Sequence, residues 1–170
     1  MTRASLVIVL IGLVRCNSAG DDLSGIIAFD SAAECRLAPH TLRIFDAMIA
    51  CRKATGPPTR GEPITIAGVG TIRPAFSGPD DGGMVHAQLP LNGSWHGLTI
   101  TGIGHGFVPN SGVSYNRILF AGPPDEVRRK LNPMGFGLPP DGKAREFGNG
   151  LMEYISVVSL GTGNVLRCST

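Results

Sequence analysis

The sequence predicts an α+β fold in which N-terminal helical segments precede a mostly antiparallel sheet with one inserted helix. Three observations predict it. An apolar stripe at three- and four-residue spacing runs from Thr41 to Arg52. From Glu62 onward, short runs with period-two alternation are separated by strong turn chemistry. Within that strand-rich body, Gly122-Pro123-Pro124-Asp125-Glu126 opens one further helix. Composition agrees, since 24 glycines and 13 prolines in 170 residues favour many short strands over long helices. A charged share of 16% excludes a long disordered polyelectrolyte.

The first twenty residues read as an address. Thr2 and Arg3 precede the apolar run Leu6 to Val14, and Ser18-Ala19-Gly20 offers small residues to a signal peptidase. A cleavable signal peptide over 1–20 and a single domain over 21–170 are therefore expected. The apolar run is shorter than the roughly 20 residues of a spanning helix, which leaves a retained anchor as the lesser alternative. Lipid attachment at Cys16 is disfavoured because Arg15 stands where such a signal wants a small residue. Loss of Arg3 and Arg15 leaves thirteen basic residues against thirteen acidic ones, so the net charge falls from +2 to zero. A neutral chain lacks the footprint of a nucleic-acid binder. No stable membrane insertion is expected after cleavage, because Gly, Pro or charge interrupts every later apolar stretch. The expected location is periplasmic or secreted.

Export to an oxidising compartment makes Cys35, Cys51 and Cys168 disulfide candidates. Ser31-Ala32-Ala33-Glu34 has capping-box spacing, which predicts a short helix carrying Cys35 and ended by Pro39. The second helix, Thr41 to Arg52, uses Leu42, Ile44, Phe45, Met48 and Ile49 as its apolar face and carries Cys51 at its end. An antiparallel helical hairpin would favour Cys35 with Cys51. Its competitor, Cys51 with Cys168, closes a much longer loop, and the spacing leaves both open.

The strands follow in order. Ile64 to Ile66 and Thr71 to Phe76 come first, and Ser77 to Gly83 is a turn. Met84 to Leu91 then alternates Val85, Ala87 and Leu89 with His86 and Gln88. Asn92-Gly93 turns the chain into Leu98 to Ile103, and Pro109 to Gly112 turns it into Ser114 to Ala121. In the inserted helix Val127, Leu131 and Met134 mark the apolar face. Arg128, Arg129 and Lys130 complement the macrodipole rather than forming a phosphate patch. Residues 135–150 are rich in Gly, Pro and charge and read as a long flexible loop, a first place to seek a contact surface. Leu151 to Leu160 and Val165 to Cys168 finish the chain as a hairpin.

Signals for catalysis are sparse. His86, His96 and His105 fall on neighbouring predicted strands, and three imidazoles can bind zinc while leaving a fourth position for water. This carries the alternative of a metal-dependent secreted hydrolase. Spacings of ten and nine residues match no compact ligand motif, and no acidic residue lies between Asp81 and Asp125 to orient the rings. Gly93-Ser94-Trp95-His96-Gly97 lacks the nucleophile-elbow pattern, and adjacent strand residues face opposite ways. The Gly-x-Gly fragments at Gly68 and at Gly102, Gly104 and Gly106 lack the spacing of a dinucleotide loop and read as bulges or close strand crossings. No catalytic residue and no cofactor is implied. The favoured function is a non-catalytic binding or structural protein of the bacterial cell envelope, its partner an unknown envelope protein or small ligand.

Ser111-Gly112-Val113-Ser114-Tyr115 resembles the Ser-Gly-x-x-Tyr loop of periplasmic C-type lysozyme inhibitors. The resemblance implies a possible interaction loop at Ser111, Gly112 and Tyr115 that inserts into a lysozyme cleft. The family's second motif, a Tyr followed by Thr-Lys-Gly, is absent from this chain.

Overall fold

A computed structural model describes residues 21–50, 61–148, 153–160 and 163–169. The expected signal peptide, Cys16 and Cys51 lie outside the described residues. A small hairpin, β1 (Phe29–Ser31) and β2 (Arg36–Leu37), comes first and is followed by helix α1 (Pro39–Ala50). A second hairpin, β3 (Ile64–Ile66) and β4 (Gly70–Ile72), precedes β5 (Ala75–Ser77), β6 (Val85–Leu89), β7 (Gly93–Trp95), β8 (Leu98–Phe107) and β9 (Ser114–Phe120). Helix α2 (Pro124–Leu131) and a 3₁₀ turn (Asn132–Met134) lead to β10 (Arg145–Glu146), β11 (Tyr154–Leu160) and β12 (Gly163–Ser169).

The α+β expectation is corrected. The described residues are mostly antiparallel β, with 42% strand and 17% helix, and a β-hairpin occupies the place of the leading helix. Ser31 to Glu34 turns between β1 and β2, and Cys35 takes a positive φ of 52° that no helix contains. A capping box needs an apolar periodic run behind it. Here only four residues separate Glu34 from Pro39, and Phe29 instead pairs with Leu37. Pro39 opens α1 rather than ending a helix, because its missing N–H is no loss in a first turn. Leu42 is exposed, and the face α1 buries is Thr41, Phe45 and Met48. The buried Thr41 hydroxyl accepts from the Ala28 N–H at 2.9 Å and donates to the Ile26 carbonyl at 2.8 Å, which fixes the first turn of α1.

The main sheet runs β10-β11-β12-β9-β8-β6-β5, with β7 also paired to β8, and all its pairs are antiparallel. Cross-strand register assigns its two faces. The inner face carries Phe76, Ala87, Leu89, Ile103, Ile118, Leu166, Ile155 and Val157 into the core. A bulge between Ile100 and Gly102 reverses the alternation once, so that Ile100 and Ile103 both point inward. Helix α1 packs on β6 and β8, and α2 packs on β11 through Val127 and Leu131. Among the described residues no helix is long and apolar enough to cross a membrane.

A disulfide joins Cys35 to Cys168, with Cα atoms 5.7 Å apart. Both pairings expected from sequence involved Cys51 and are corrected. Without a helical hairpin Cys35 is not carried toward the end of α1. It sits instead in the β1–β2 turn over the inner face of β12, where Cys168 points. The bridge thus ties the first hairpin to the last strand. Residues 135–150, expected as a flexible loop, carry buried Phe136 and Leu138 and the short strand β10. The Asn132 side chain clasps Leu138 on both backbone groups, and Arg145 donates to the Phe136 carbonyl. Residues 149 and 150 lie outside the described part.

Candidate functional site

The outer face of the sheet carries an unusual group of side chains. Alternation sends His86, Gln88, Tyr115, Arg117, Tyr154, Ser156 and Arg167 to the side opposite the core. Register aligns them in rows. One row runs His86, Gly106, Tyr115, Ser169, Tyr154, and the next runs Gln88, Gly104, Arg117, Arg167, Ser156. The row beyond is apolar, with Leu119 opposite Val165.

Glycines on β8 make room for these side chains. A Cβ built on Gly106 lies 2.6 Å from Tyr115 Cε1 and 2.7 Å from its hydroxyl, and one built on Gly104 lies 2.9 Å from Arg117 Nε. Tyr115 and Arg117 therefore lie down across β8 instead of standing off the sheet. Gly106→Ala is expected to evict the tyrosine ring and to destabilise the fold by about 1–3 kcal/mol. The urea midpoint measures this, and an unchanged midpoint would refute the flat placement of Tyr115.

Arg117 and Arg167 sit directly opposite each other on β9 and β12. Like charges in a cross-strand pair repel. The Arg167 guanidinium is 4.0 Å from the Tyr115 ring centroid and 5.3 Å from that of Tyr154, and Arg117 is 5.5 Å from the Tyr115 ring. The π faces offset part of the repulsion. Neither arginine has an acidic partner among the described residues. Their Nε atoms are buried there with no hydrogen-bond acceptor. Burial draws the Arg117 guanidinium below its ordinary pKa, Tyr115 opposes this, and the neighbouring Arg167 charge adds to it.

Beside the pair, an ordered chain of polar groups orients Tyr115. Asp80 closes its own turn by accepting from the Gly82 and Met84 N–H groups at 3.0 and 2.9 Å. Its other oxygen meets His86 Nε2 at 3.0 Å, and His86 Nδ1 meets the Tyr115 hydroxyl at 3.0 Å. With the ring proton on Nε2, His86 donates to Asp80 and accepts from Tyr115, which satisfies all three groups. The Met84 and His86 hydrogen bonds hold the Asp80 carboxyl below the usual carboxylate range. Tyr115 is buried and its hydroxyl is committed, so it is a fixed wall of the face.

The three histidines of the alternative metal reading are kept apart. His86 is on the outer face of β6, and His105 is on the inner face of β8. His96 occupies the β7–β8 turn at a φ of 48°, with its ring against Trp95. Among the described residues no three His, Cys, Asp or Glu side chains form a group able to hold a metal ion. The separation follows from the fold, because one residue of offset between paired strands reverses the face.

His105 is buried below α1, where its Nδ1 lies 2.8 Å from Asn116 Oδ1. Burial pulls it below the ordinary histidine value of 6.5, and the Asn116 hydrogen bond and Asp46 charge only partly oppose this. The folded state therefore binds fewer protons than the unfolded state, so its contribution is complete above 6.5 and is lost as pH falls toward the lower folded value. Urea midpoints between about pH 7.5 and about pH 5.5 should fall, and His105→Gln should flatten that part of the profile.

The expected interaction loop is self-contained. Ser111 donates its hydroxyl to the Val108 carbonyl at 2.9 Å and accepts from the Val113 N–H at 3.1 Å, while Gly112 supplies a φ of 75°. Tyr115 leaves this loop for the outer face. Sequence reading therefore singled out Tyr115 and His86 but missed Arg117, Arg167 and Tyr154. Alternation about Ile118 places Tyr115 and Arg117 on one face, yet the β9–β12 pairing that sets Arg167 beside them is not local in sequence. Comparison with family models, curated proteins and solved structures finds no match for the chain.

Proposed function

We propose that the chain is an exported, non-catalytic binding protein of the bacterial cell envelope, and that the outer face of its main sheet is the binding face. One observation carries the reading. Among the described residues this face bears two arginines without acidic partners beside two tyrosines whose rings they contact. Surface-directed arginine and tyrosine are the side chains most often found at binding hot spots. Export is supported by the leader-like residues 1–20 and by a disulfide that persists in oxidising compartments. Non-catalysis is the reading the sequence favours, since it carries no nucleophile-elbow or compact metal-ligand motif.

The test is an amide NMR titration of the exported, disulfide-bonded protein with a panel of neutral sugars, amino acids, carboxylates and phosphate monoesters. Shifts centred on β9 and β12, with the ligand recovered unchanged, support the proposal. Recovery of a converted compound overturns non-catalysis, and a panel that leaves β9 and β12 unmoved overturns the choice of face.

A further inference from the structure

Resting on the binding-face reading, we infer that the Arg117–Arg167 pair is an oxyanion site and that its ligand is a phosphate monoester with a small, uncharged body. Three properties select this chemistry. First, two guanidiniums face each other across β9 and β12 with no carboxylate partner among the described residues, so the site holds two positive charges and a dianion neutralises both. A monocarboxylate would neutralise only one. Second, among the described residues neither guanidinium makes a hydrogen bond, and with both Nε–H groups buried it is the terminal N–H groups that remain open to a ligand. A tetrahedral oxyanion brings several acceptor oxygens at once, and the planar forks of arginine suit that geometry. Third, the row beyond the arginines is Leu119 and Val165, and it borders a cavity of about 290 Å³ lined also by Thr101, Phe120 and Asn164. Two residues along a strand is about 7 Å, so a group bound at the arginines can lay its body over this row.

The surroundings fix the site as well as charging it. Tyr115 is held by His86 and Asp80, and its ring sets the position of Arg167. The Tyr154 ring lies near the same guanidinium, its centroid 5.3 Å away. Glu146 stands opposite Tyr154 on the edge strand β10, Asp80 is held by His86, and among the described residues the arginine row carries no acidic side chain. The protein keeps a repulsive cross-strand pair that it could relieve with a single substitution, which is the pattern expected where a site holds stability in reserve for binding.

Calorimetric titration with phenyl phosphate, inorganic phosphate and benzoate at low salt tests the inference. Phenyl phosphate is expected to bind at one site, more tightly than inorganic phosphate, which lacks the apolar body, and than benzoate, which lacks the second charge. Arg117→Gln and Arg167→Gln are each expected to weaken it by about tenfold or more. Without ligand, neither should lower the melting temperature, because each removes a like-charge neighbour. Arg36→Gln is the control, since Arg36 is exposed and already paired with Glu34, and it should leave binding unchanged. Should a glutamine variant fail to fold, Arg167→Lys keeps the charge, loses the fork and is still expected to bind about tenfold more weakly. Equal weakening by Arg36→Gln, or benzoate binding as tightly as phenyl phosphate, overturns the inference. Absence of phosphate binding while a neutral ligand still shifts β9 and β12 overturns the inference and spares the binding face. Absence of both overturns the two together.

Discussion

Reduction of the Cys35–Cys168 bridge is expected to cost the protein about 4–5 kcal/mol of stability, a large share of the roughly 5–15 kcal/mol that a domain usually has. The bridge spans 133 residues of sequence. Cross-linking so long a loop restricts the unfolded chain far more than a local bridge does, and the chain-entropy relation gives about 5 kcal/mol for a loop of that length. Packing directs the effect to a particular place. The β1–β2 hairpin has only two strands and cannot hold itself, so without the bridge its hold on the sheet falls to Phe29, Leu37 and the Arg145 contact with Ala33. Urea unfolding of the oxidised protein against Cys35→Ser and Cys168→Ser should show both variants shifted by a similar amount. A loss below about 1 kcal/mol would mean that the hairpin is anchored by its side chains alone.

The same bridge marks where the sequence is legible and where it is not. Strands β6, β8 and β9 are written in local alternation, since Val85, Ala87 and Leu89 or Ile118 and Phe120 identify buried faces by period alone. Helix α2 is equally local, with Pro124 at its start and Val127 and Leu131 on its inner side. The leading segment was misread because Ser31 to Glu34 satisfies a helix-start pattern, and the competing signal, Phe29 pairing across the turn with Leu37, has too few residues to register as strand. That error propagated, because a helical hairpin would have favoured Cys51 as a partner.

The site was legible only in fragments. Tyr115, Arg117 and the glycines at 104 and 106 are visible in the sequence, and so is the alternation that places the first two on one face. What cannot be read is that β12 pairs with β9 at a register setting Arg167 opposite Arg117. Gly102, Gly104 and Gly106 did read as close strand crossings, and at Gly104 and Gly106 the close approach is a flat-lying side chain. The histidines illustrate the same point in reverse: three that are near one another in sequence are distributed to two faces and a turn once register is set.

Trp95→Ala is expected to destabilise the protein by about 3–5 kcal/mol, comparable to loss of the disulfide. Trp95 is the only tryptophan and is wholly buried. Its indole N–H donates to the Ile27 carbonyl at 2.7 Å, and Phe29, Phe120 and Phe136 surround it at centroid distances of 6.1, 6.0 and 6.4 Å. Those contacts join four parts of the chain: the 23–27 segment, β1, the sheet through β9, and the segment after α2. Truncation opens a cavity at their junction and also strands a carbonyl, two penalties that relaxation of one neighbour cannot remove together. Trp95→Phe separates them, since most of the ring volume stays while the donor is lost, and about 1–3 kcal/mol is expected. Circular dichroism in urea measures both variants, and the wild-type fluorescence should shift to the red as Trp95 meets water. If Trp95→Ala unfolded within about 1 kcal/mol of wild type, the junction would not be close-packed, and the first hairpin would be held to the sheet chiefly by the bridge, Leu37 and the Arg145 contact with Ala33.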